Sequence, residues 1–460
     1  MPSLPPGPKK WFPGQHLLLL RRNVLDTLQW LAREYGDVTC LRIGPHPLVL
    51  VSHPDLIRTI LITDARQYAK GRGLDRTKRL IGTGLLTSEG DFHLRQRRLA
   101  QPAFHRDRIV AYADVMRERA ARSCGSWDDG DELDVSQIMM KLTLEVAGAT
   151  LFGADLASET EEIGAALTES FELFRFATLP YTEVLDHLSF LPINKRFDAA
   201  RVRLDRTIYR IIAERRASEH DRGDLLSMLL LARDTEGNTG SMSDLQLRDE
   251  ALTILLAAHE TTANALSWTF YLLSQHPDIE RELHAELDRV LGDRAVTAAD
   301  VPRLTYTRAV LAESMRLYPP AWTLGRKPLA DVVIGGYRVP RNSLVLMSQW
   351  VVHRDPRWWP EAERFYPDRW RDDEQESGNG ARSAVGAAQA SRPRLAYFPF
   401  GAGTRVCIGE SFAWMEGIII LATIAQRWRL ERVRGHPVIP FPLVTLRPRQ
   451  GIRMRVRRRE

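Results

Sequence analysis

Three short stretches of this chain hold residue types that could do chemistry. The first is Phe400 to Gly409, FGAGTRVCIG. It places Cys407 in a Gly-rich, basic loop at the mouth of an apolar segment running from Glu410 to about Trp428. As a helix, that segment would bring unpaired N–H groups and a partial positive charge to the sulfur, and both favour the thiolate. Gly401, Gly403 and Gly409 leave room for the close approach of a flat ligand. Arg405 supplies a cation for an anionic group at that ligand's rim. Thiolate, open backbone and cation suit a metal-bearing planar cofactor with carboxylates. A buried structural thiol in a turn is the other reading of this loop, and it stays open on these residues alone.

The second stretch is SMSDLQLRDEALTILLAAHETTANALSWTFYLLSQHP, from Ser241 to Pro277. Ser243 and Gln246 have capping-box spacing and Pro277 is a stop, so the pattern predicts a helix of roughly 50 Å. Its middle is polar, His259-Glu260-Thr261-Thr262, which is costly to bury unless paired. Two readings fit: a proton relay facing a reaction cavity, or hydroxyls bonded back to the preceding turn with Glu260 meeting an arginine. The third stretch holds Glu313 and Arg316, on one face of a predicted helix from Thr305 to Tyr318, with Arg354 and Arg369 as further partners. GAGTRV starts like a phosphate loop, but Val406 stands at the last glycine position and no βαβ unit surrounds it.

The elements that must position these residues are mostly helices. Amphipathic pattern predicts helices over Asn23 to Tyr35, from Pro54 to about Asp64, from Asp91 onward through Arg216 with interruptions, and over Pro277 to Leu291. Val38 to Ile43 and Leu48 to Val51 read as a hairpin across GPHP. Asp331 to Val339 and Leu344 to Ser348 read as strands, and alternation of Ile452, Met454 and Val456 with arginines predicts a C-terminal strand. Ala69 to Gly90 reads as a long functional loop, Leu179 to Asn194 as a mobile lid, and 373–394 as a flexible surface insertion. The expected fold class is mainly α with a small β region, in a single large domain over 1–460.

Composition narrows the function classes. Hydrophobic content of 44% and charged content of 27% are those of a globular protein. The formal charge of +6 comes from scattered arginines without an aromatic-interleaved basic patch, which argues against nucleic acid and for an acidic protein partner. Three distant cysteines, Cys40, Cys124 and Cys407, make neither a disulfide framework nor a four-cysteine zinc site and fit a reducing compartment. The four-leucine run before Arg21 is too short for a signal core or a membrane span, and polar groups at the centre of Ala251 to Leu273 argue against a span there. The expectation is a cytoplasmic monomer with no membrane anchor.

Together these stretches resemble the cytochrome P-450 family of haem-thiolate monooxygenases. FGAGTRVCIG matches the family's F-x-x-G-x-R-x-C-x-G loop at every fixed position, and AAHETT resembles its oxygen-activation motif. Glu313 and Arg316 meet its E-x-x-R, and FYPDRW resembles the aromatic-Pro-Arg segment that follows. Order and spacing agree over essentially the whole chain. The resemblance implies haem b between the long central helix and the Cys-loop helix, with Cys407 as axial ligand of the iron. It implies Phe400 and Gly409 against the haem, with His93, Arg97, Arg326 and Arg405 at its propionates; His93 stands where the family usually has Trp. It makes Glu260 and Thr261 the acid–alcohol pair that delivers protons, and Glu313, Arg316 and Arg369 a network supporting the Cys407 loop. Ala257, Ala258, Thr262, Trp322 and Leu324 become substrate-cavity candidates; Ala258 departs from the family's usual Gly.

The implied activity inserts one oxygen atom from O2 into a hydrophobic substrate, lipid-, terpenoid- or steroid-like. The chain carries no flavin or iron–sulfur segment, so NAD(P)H-derived electrons are expected from a separate ferredoxin or flavodoxin with its reductase, docking near Arg95 and Arg98. The alternatives are a peroxide-using or isomerising haem-thiolate enzyme, which typically lacks the acid–alcohol pair, and a non-catalytic haem sensor.

Overall fold

The computed structural model describes residues 2–459 except 10–11, 13, 44–45, 155–161, 167–168, 170–190, 218–222, 232–241 and 372–391. Most of the expected lid and nearly all of the expected insertion lie outside the described residues. The described helices, in chain order, are α1 (Gln15–Arg22), α2 (Val24–Tyr35), α3 (Pro54–Arg58), α4 (Arg72–Ile81), α5 (Gly90–Ala100), α6 (Arg106–Gly125), α7 (Val135–Leu151), α8 (Pro192–Ala217), α9 (Leu225–Leu231), α10 (Asp244–Leu273), α11 (Pro277–Val290), α12 (Thr305–Leu317), α13 (Gln349–Val352) and α14 (Glu410–Ala425). The strands are β1 (Val38–Ile43), β2 (His46–Val51), β3 (Tyr68–Lys70), β4 (Glu132–Asp134), β5 (Leu324–Pro328), β6 (Val332–Ile334), β7 (Tyr337–Val339), β8 (Leu344–Met347), β9 (Trp428–Arg432), β10 (Pro440–Pro442), β11 (Leu446–Pro448) and β12 (Arg453–Arg458). Helix exceeds strand, as the sequence pattern implies. Among the described residues, no helix is long and apolar enough to cross a membrane.

The chain divides into two compact units. The first comprises residues 1–76 and 312–407. Its five-stranded sheet has the order β1-β2-β8-β5-β3. The β1–β2 hairpin pairs Val38 with Val51 and Cys40 with Val49, and β2 then runs parallel to β8. Val49, Val51, Val345 and Met347 enter a core with Ile57, Ile60, Leu61 and Phe398, so this sheet is the floor under the segment leading to Cys407. Helix α2 starts at the Asn23 side-chain cap and stops at Gly36, whose φ of 88° most residues resist.

The second unit comprises residues 77–311 and 408–460. Its axis is α10, whose 30 residues give a length of about 45 Å. Ser243 and Gln246 form the reciprocal capping box that the sequence predicts. Helices α7, α8 and α14 pack against α10, and α14 also lies on α6. Because α10 and α14 are covered on most sides, both lack a polar stripe, and nearly every residue of Gly417–Ala425 is buried. A three-stranded sheet of order β4-β12-β9 and the β10–β11 hairpin complete the unit.

Four local differences from the sequence reading have simple causes. The expected loop over Ala69 to Gly90 contains α4, where Thr77, Leu80 and Ile81 give a short buried face that neighbouring glycines mask. Gln15–Arg22 is a helix, anchored by buried His16, whose Nδ1 accepts the Arg42 N–H at 3.0 Å. Strand β5, LGRKP, has no alternation to read and exists through its pairing with β8 and β3. Helix α14 ends at Ala425 because Trp428 is taken into β9 opposite Arg458.

Candidate functional site

As far as Cys407 itself, the loop belongs to the first unit and is wound by its own backbone. The Gly401 N–H donates to the Phe398 carbonyl at 3.0 Å, Val406 to Gly403 at 3.1 Å and Cys407 to Phe400 at 3.0 Å. Gly403 has φ +71°, and a Cβ there would stand 2.1 Å from the Leu61 carbonyl oxygen, so only glycine fits. The three thiols differ. Cys40 and Cys124 are buried, and burial pushes both thiols up; Cys407 is exposed. An exposed sulfur on a tightly wound backbone is what a ligand to an incoming group needs, and it is not what a structural core thiol looks like. Arg405 and Phe400 are half-buried beside it in sequence, Arg326 is half-buried on β5, and Trp322 and Leu324 are half-buried just before it.

Beneath this loop lies a buried ionic network. Glu313, on α12, is fully buried and accepts from Arg316 Nε at 2.9 Å and Nη2 at 2.8 Å, from Arg369 Nε at 2.9 Å, from the Trp370 indole at 2.9 Å and from the Tyr366 N–H at 3.0 Å. Burial opposes its charge, but the two guanidiniums outweigh that and hold the carboxyl below its ordinary value. Arg316 spends its remaining donors on the carbonyls of His353 at 2.8 Å, Ala362 at 2.6 Å and Arg364 at 3.0 Å. Arg354 pairs with Glu363 at 3.2 Å. His353 is also fully buried, and its Nε2 accepts the Phe398 N–H at 3.0 Å. Burial, with Arg316 and Arg354 nearby, keeps His353 neutral and therefore able to accept. The network thus reaches Phe398, whose carbonyl accepts the Gly401 N–H of the Cys407 loop. His353 carries no sequence pattern that would have announced this.

In the second unit the chemistry centres on α10. Ala257 is exposed while Ala258 and Thr261 are half-exposed, in the middle of a helix otherwise buried from Ala251 to Phe270. Ala257 and Thr261 share a face, with Ala258 adjoining Thr261 at i+3, so α10 presents a small, uncharged, accessible patch. The Thr261 hydroxyl donates back to the Ala257 carbonyl at 2.8 Å, and the buried Thr262 hydroxyl to Ala258 at 3.3 Å. Glu260 is buried and turned elsewhere: it accepts from Arg447 Nε at 2.6 Å and from the Thr445 hydroxyl, which in turn receives Asn264 Nδ2 at 3.1 Å. The structure therefore sets acid and alcohol on different faces of the helix. His259 is buried, which lowers its basicity, and its backbone carbonyl accepts from Thr143 at 2.9 Å.

His93 and Arg97 lie on α5, one buried and one half-buried. His93 Nδ1 lies 3.1 Å from the Leu85 carbonyl and 3.2 Å from the Ser88 hydroxyl. A carbonyl only accepts, so Nδ1 carries a proton. Gly409 is the N-cap of α14. A residue the sequence reading passed over sits further along that helix. Glu416 is fully buried, and burial pushes its carboxyl up to about 8, against slight help from Thr262. The Thr262 hydroxyl is already committed to Ala258, so neither Glu416 oxygen receives a full hydrogen bond. A lone acid inside an otherwise apolar run was the visible signal.

Within the first unit, an exposed thiol on a tightly wound, glycine-rich loop, with Arg326 and Arg405 as groups for carboxylates, fits an iron porphyrin; His93 and Arg97 belong to the second unit. The family model described as Cytochrome P450 matches residues 5–454. Cyclooctatin synthase of Streptomyces melanosporofaciens is 42% identical over 94% of this chain and 91% of its own length. Cyclooctat-9-en-7-ol 5-monooxygenase of the same organism is 38% identical over 91% and 88%, and pentalenene oxygenase of Streptomyces avermitilis is 34% identical over 96% and 94%. Among solved structures, the cytochrome P450DA heme domain superposes with a TM-score of 0.86 at 27% identity, covering 100% of this chain and 99% of that one. The chain belongs to the cytochrome P450 family and is a haem-thiolate monooxygenase, an oxidoreductase that incorporates oxygen from O2.

Proposed function

We propose that the enzyme hydroxylates a terpenoid hydrocarbon or terpenoid alcohol, with electrons supplied by a separate ferredoxin or flavodoxin and its reductase. The observation that carries this reading is the accessible patch of α10, which offers Ala257, Ala258 and Thr261 and no charged side chain. Such a surface pairs with hydrocarbon and leaves a carboxylate or ammonium group without a partner. The three named relatives, each matched along most of its length, act on terpenoid skeletons by their names.

In this reading Cys407 ligates the haem iron, Phe400 and Gly409 adjoin it, and Arg97, Arg326, Arg405 and His93 hold the propionates. Haem supplies the binding and activation of O2 when bound. The chain's own part is positioning and proton supply. Glu313, Arg316 and Arg369 fix the Cys407 loop through His353 and Phe398. The Thr261 hydroxyl, resting on the Ala257 carbonyl, presents a rotatable donor at the accessible patch. Glu260 is engaged by Arg447 and Thr445, and reaches towards Thr261 as a proton carrier only when it leaves that pair. Arg447 is thus the group that competes with the relay for Glu260.

The test is a spin-state titration of the purified enzyme against mono-, sesqui- and diterpene hydrocarbons and alcohols. Product analysis with a surrogate ferredoxin and reductase follows. A saturable spin shift and a hydroxylated product are expected from at least one terpenoid class. Turnover of fatty acids or steroids with no terpenoid response overturns the substrate assignment. Turnover with an acidic ferredoxin falls with rising salt if docking is electrostatic; peroxide-driven turnover that outpaces it overturns the partner assignment.

A further inference from the structure

The N-terminal half of α10 carries two adjacent buried acids, Asp249 and Glu250, that the oxygen chemistry does not use. Both reach the short turn 82–88 between α4 and α5. Asp249 Oδ2 accepts the Thr83 N–H at 2.7 Å and the Thr83 hydroxyl at 3.3 Å. Glu250 Oε2 accepts the Leu85 N–H at 2.9 Å. Arg248, buried beside them, donates to the Leu80 carbonyl at 2.7 Å, to Asp249 Oδ1 at 2.9 Å and to Asp205 of α8 at 2.6 Å. Arg79 reaches α8 as well, meeting Asn194 at 2.8 Å and Asp198 at 3.0 Å. The turn also closes on itself, with the Thr87 hydroxyl on the Gly82 carbonyl at 2.7 Å.

The turn lies directly on the helix. A Cβ at Gly82, where φ is +65°, would stand 2.0 Å from the Asp249 carboxyl. A Cβ at Gly84 would stand 2.3 Å from Thr253 Oγ1 and 2.5 Å from the Asp249 carbonyl oxygen. Glu250, Thr253, Ala257 and Thr261 follow one another at helical spacing along one face. The first two are covered by the turn; the last two form the accessible patch. The turn therefore ends where the patch begins, with Leu85 buried and Leu86 40% exposed. The peptide of Leu85 is held at both ends, its N–H by Glu250 and its C=O by His93 Nδ1.

We propose that Asp249 and Glu250 are positioning residues for substrate selection: they clamp the 82–88 turn as a fixed wall at the edge of the α10 patch, with Leu86 as the side chain that substrate meets. Through Leu85 the same clamp orients His93 on α5. Carboxyl groups suit this work because each accepts from a backbone N–H of the turn while its own chain is anchored in the buried helix. Besides its internal Thr87–Gly82 bond, the turn is held by the side chains of α10, so its position is tied to that helix. The selectivity part rests on the reading of the patch as the substrate face; the clamp itself does not.

The experiment compares the full-length, haem-loaded enzyme with Glu250→Leu, Glu250→Gln and Leu86→Ala. Amide hydrogen exchange reads the clamp without reference to activity. Glu250→Leu is expected to speed exchange at Leu85 roughly ten- to a hundredfold, whereas Glu250→Gln, which keeps an acceptor, stays near wild type. Spin-shift titrations with geraniol, farnesol and geranylgeraniol, and with imidazole and 4-phenylimidazole as substrate-independent probes, read selectivity. Glu250→Leu and Leu86→Ala are expected to change the ratio of affinities between small and large members of a series. Leu86→Ala should do so with exchange at Leu85 unchanged. Unchanged Leu85 exchange in Glu250→Leu overturns the clamp. Affinities that all shift by one common factor reduce the acids to general stability and overturn the positioning role. Should the terpenoids give no shift while the azole series changes its ratio, the substrate assignment fails and the clamp stands.

Discussion

Replacing Glu416 by Gln should reverse part of the pH dependence of this protein's stability. Glu416 is fully buried on α14, and burial raises its carboxyl from 4.5 to about 8. In the unfolded chain the group loses its proton from about pH 4.5 upward; in the folded chain it keeps the proton until about pH 8. A raised folded pKa of this kind gives stability that is fully present below the unfolded value and lost as pH rises through the folded one. Across the interval from about pH 5 to about pH 7.5 the loss is roughly 3 kcal/mol, since each pH unit inside the window is worth about 1.4 kcal/mol. Gln fills the same volume and does not titrate, so the variant lacks this slope. Its absolute stability at one pH is a poor test, because the amide also goes without full hydrogen bonding and bears that cost. The difference of slopes is a clean one, since every other titrating group is shared. Urea unfolding followed by far-ultraviolet circular dichroism at several pH values gives both curves. The variant is expected to gain steadily on wild type as pH rises, with the gap levelling off above about pH 8. Parallel curves, or a gap that grows towards acid, would show that Glu416 is ionised in the folded state and that the burial argument fails.

Four further outcomes follow from the site geometry. Cys407→Ser should lose the reduced carbonyl spectrum of a thiolate haem; a variant that keeps it sinks the assignment of the axial ligand. Gly403→Ala should lower stability by about 1–2 kcal/mol from its left-handed backbone alone, and by more from the contact with the Leu61 carbonyl; unchanged thermal unfolding would refute this. Glu313→Gln should lower stability by roughly 3–5 kcal/mol, because two buried guanidiniums lose their counter-charge, and haem retention during gel filtration should fall with it. Arg447→Met should lower stability by a similar amount, while Arg447→Met combined with Glu260→Met should recover most of the loss; simple additivity in urea would show that the pair is not coupled.

What was legible in the sequence was what short-range chemistry encodes. The Ser243–Gln246 box, the Asn23 and Gly36 ends of α2 and the alternation of β12 each depend on a few neighbouring residues. Pairings between distant residues were not legible. Glu260 and Arg447 are 187 positions apart, and TLRPRQ around Arg447 has no feature that marks it. Strand β5 depends on partners that no local alternation announces, and α4 was hidden because Gly71 and Gly73 punctuate its start like a loop.

The treatment of Glu260 and Thr261 shows the limit most clearly. Adjacency in sequence invites their reading as one acid–alcohol unit, but consecutive helical residues point about 100° apart. Thr261 shares its face with Ala257, and that face is accessible. Glu260 shares its face with Asn264, and both are bound to Thr445 on the approach to β11. The two side chains of the proposed relay therefore start in different surroundings, one on an open patch and one in a buried ion pair. A relay between them needs a movement of Glu260, and the strength of the Arg447 pair sets how readily it occurs. If the proposed relay operates, weakening that pair should ease proton supply and cost stability together, and its control then lies with Arg447, on a hairpin far along the chain from the motif itself.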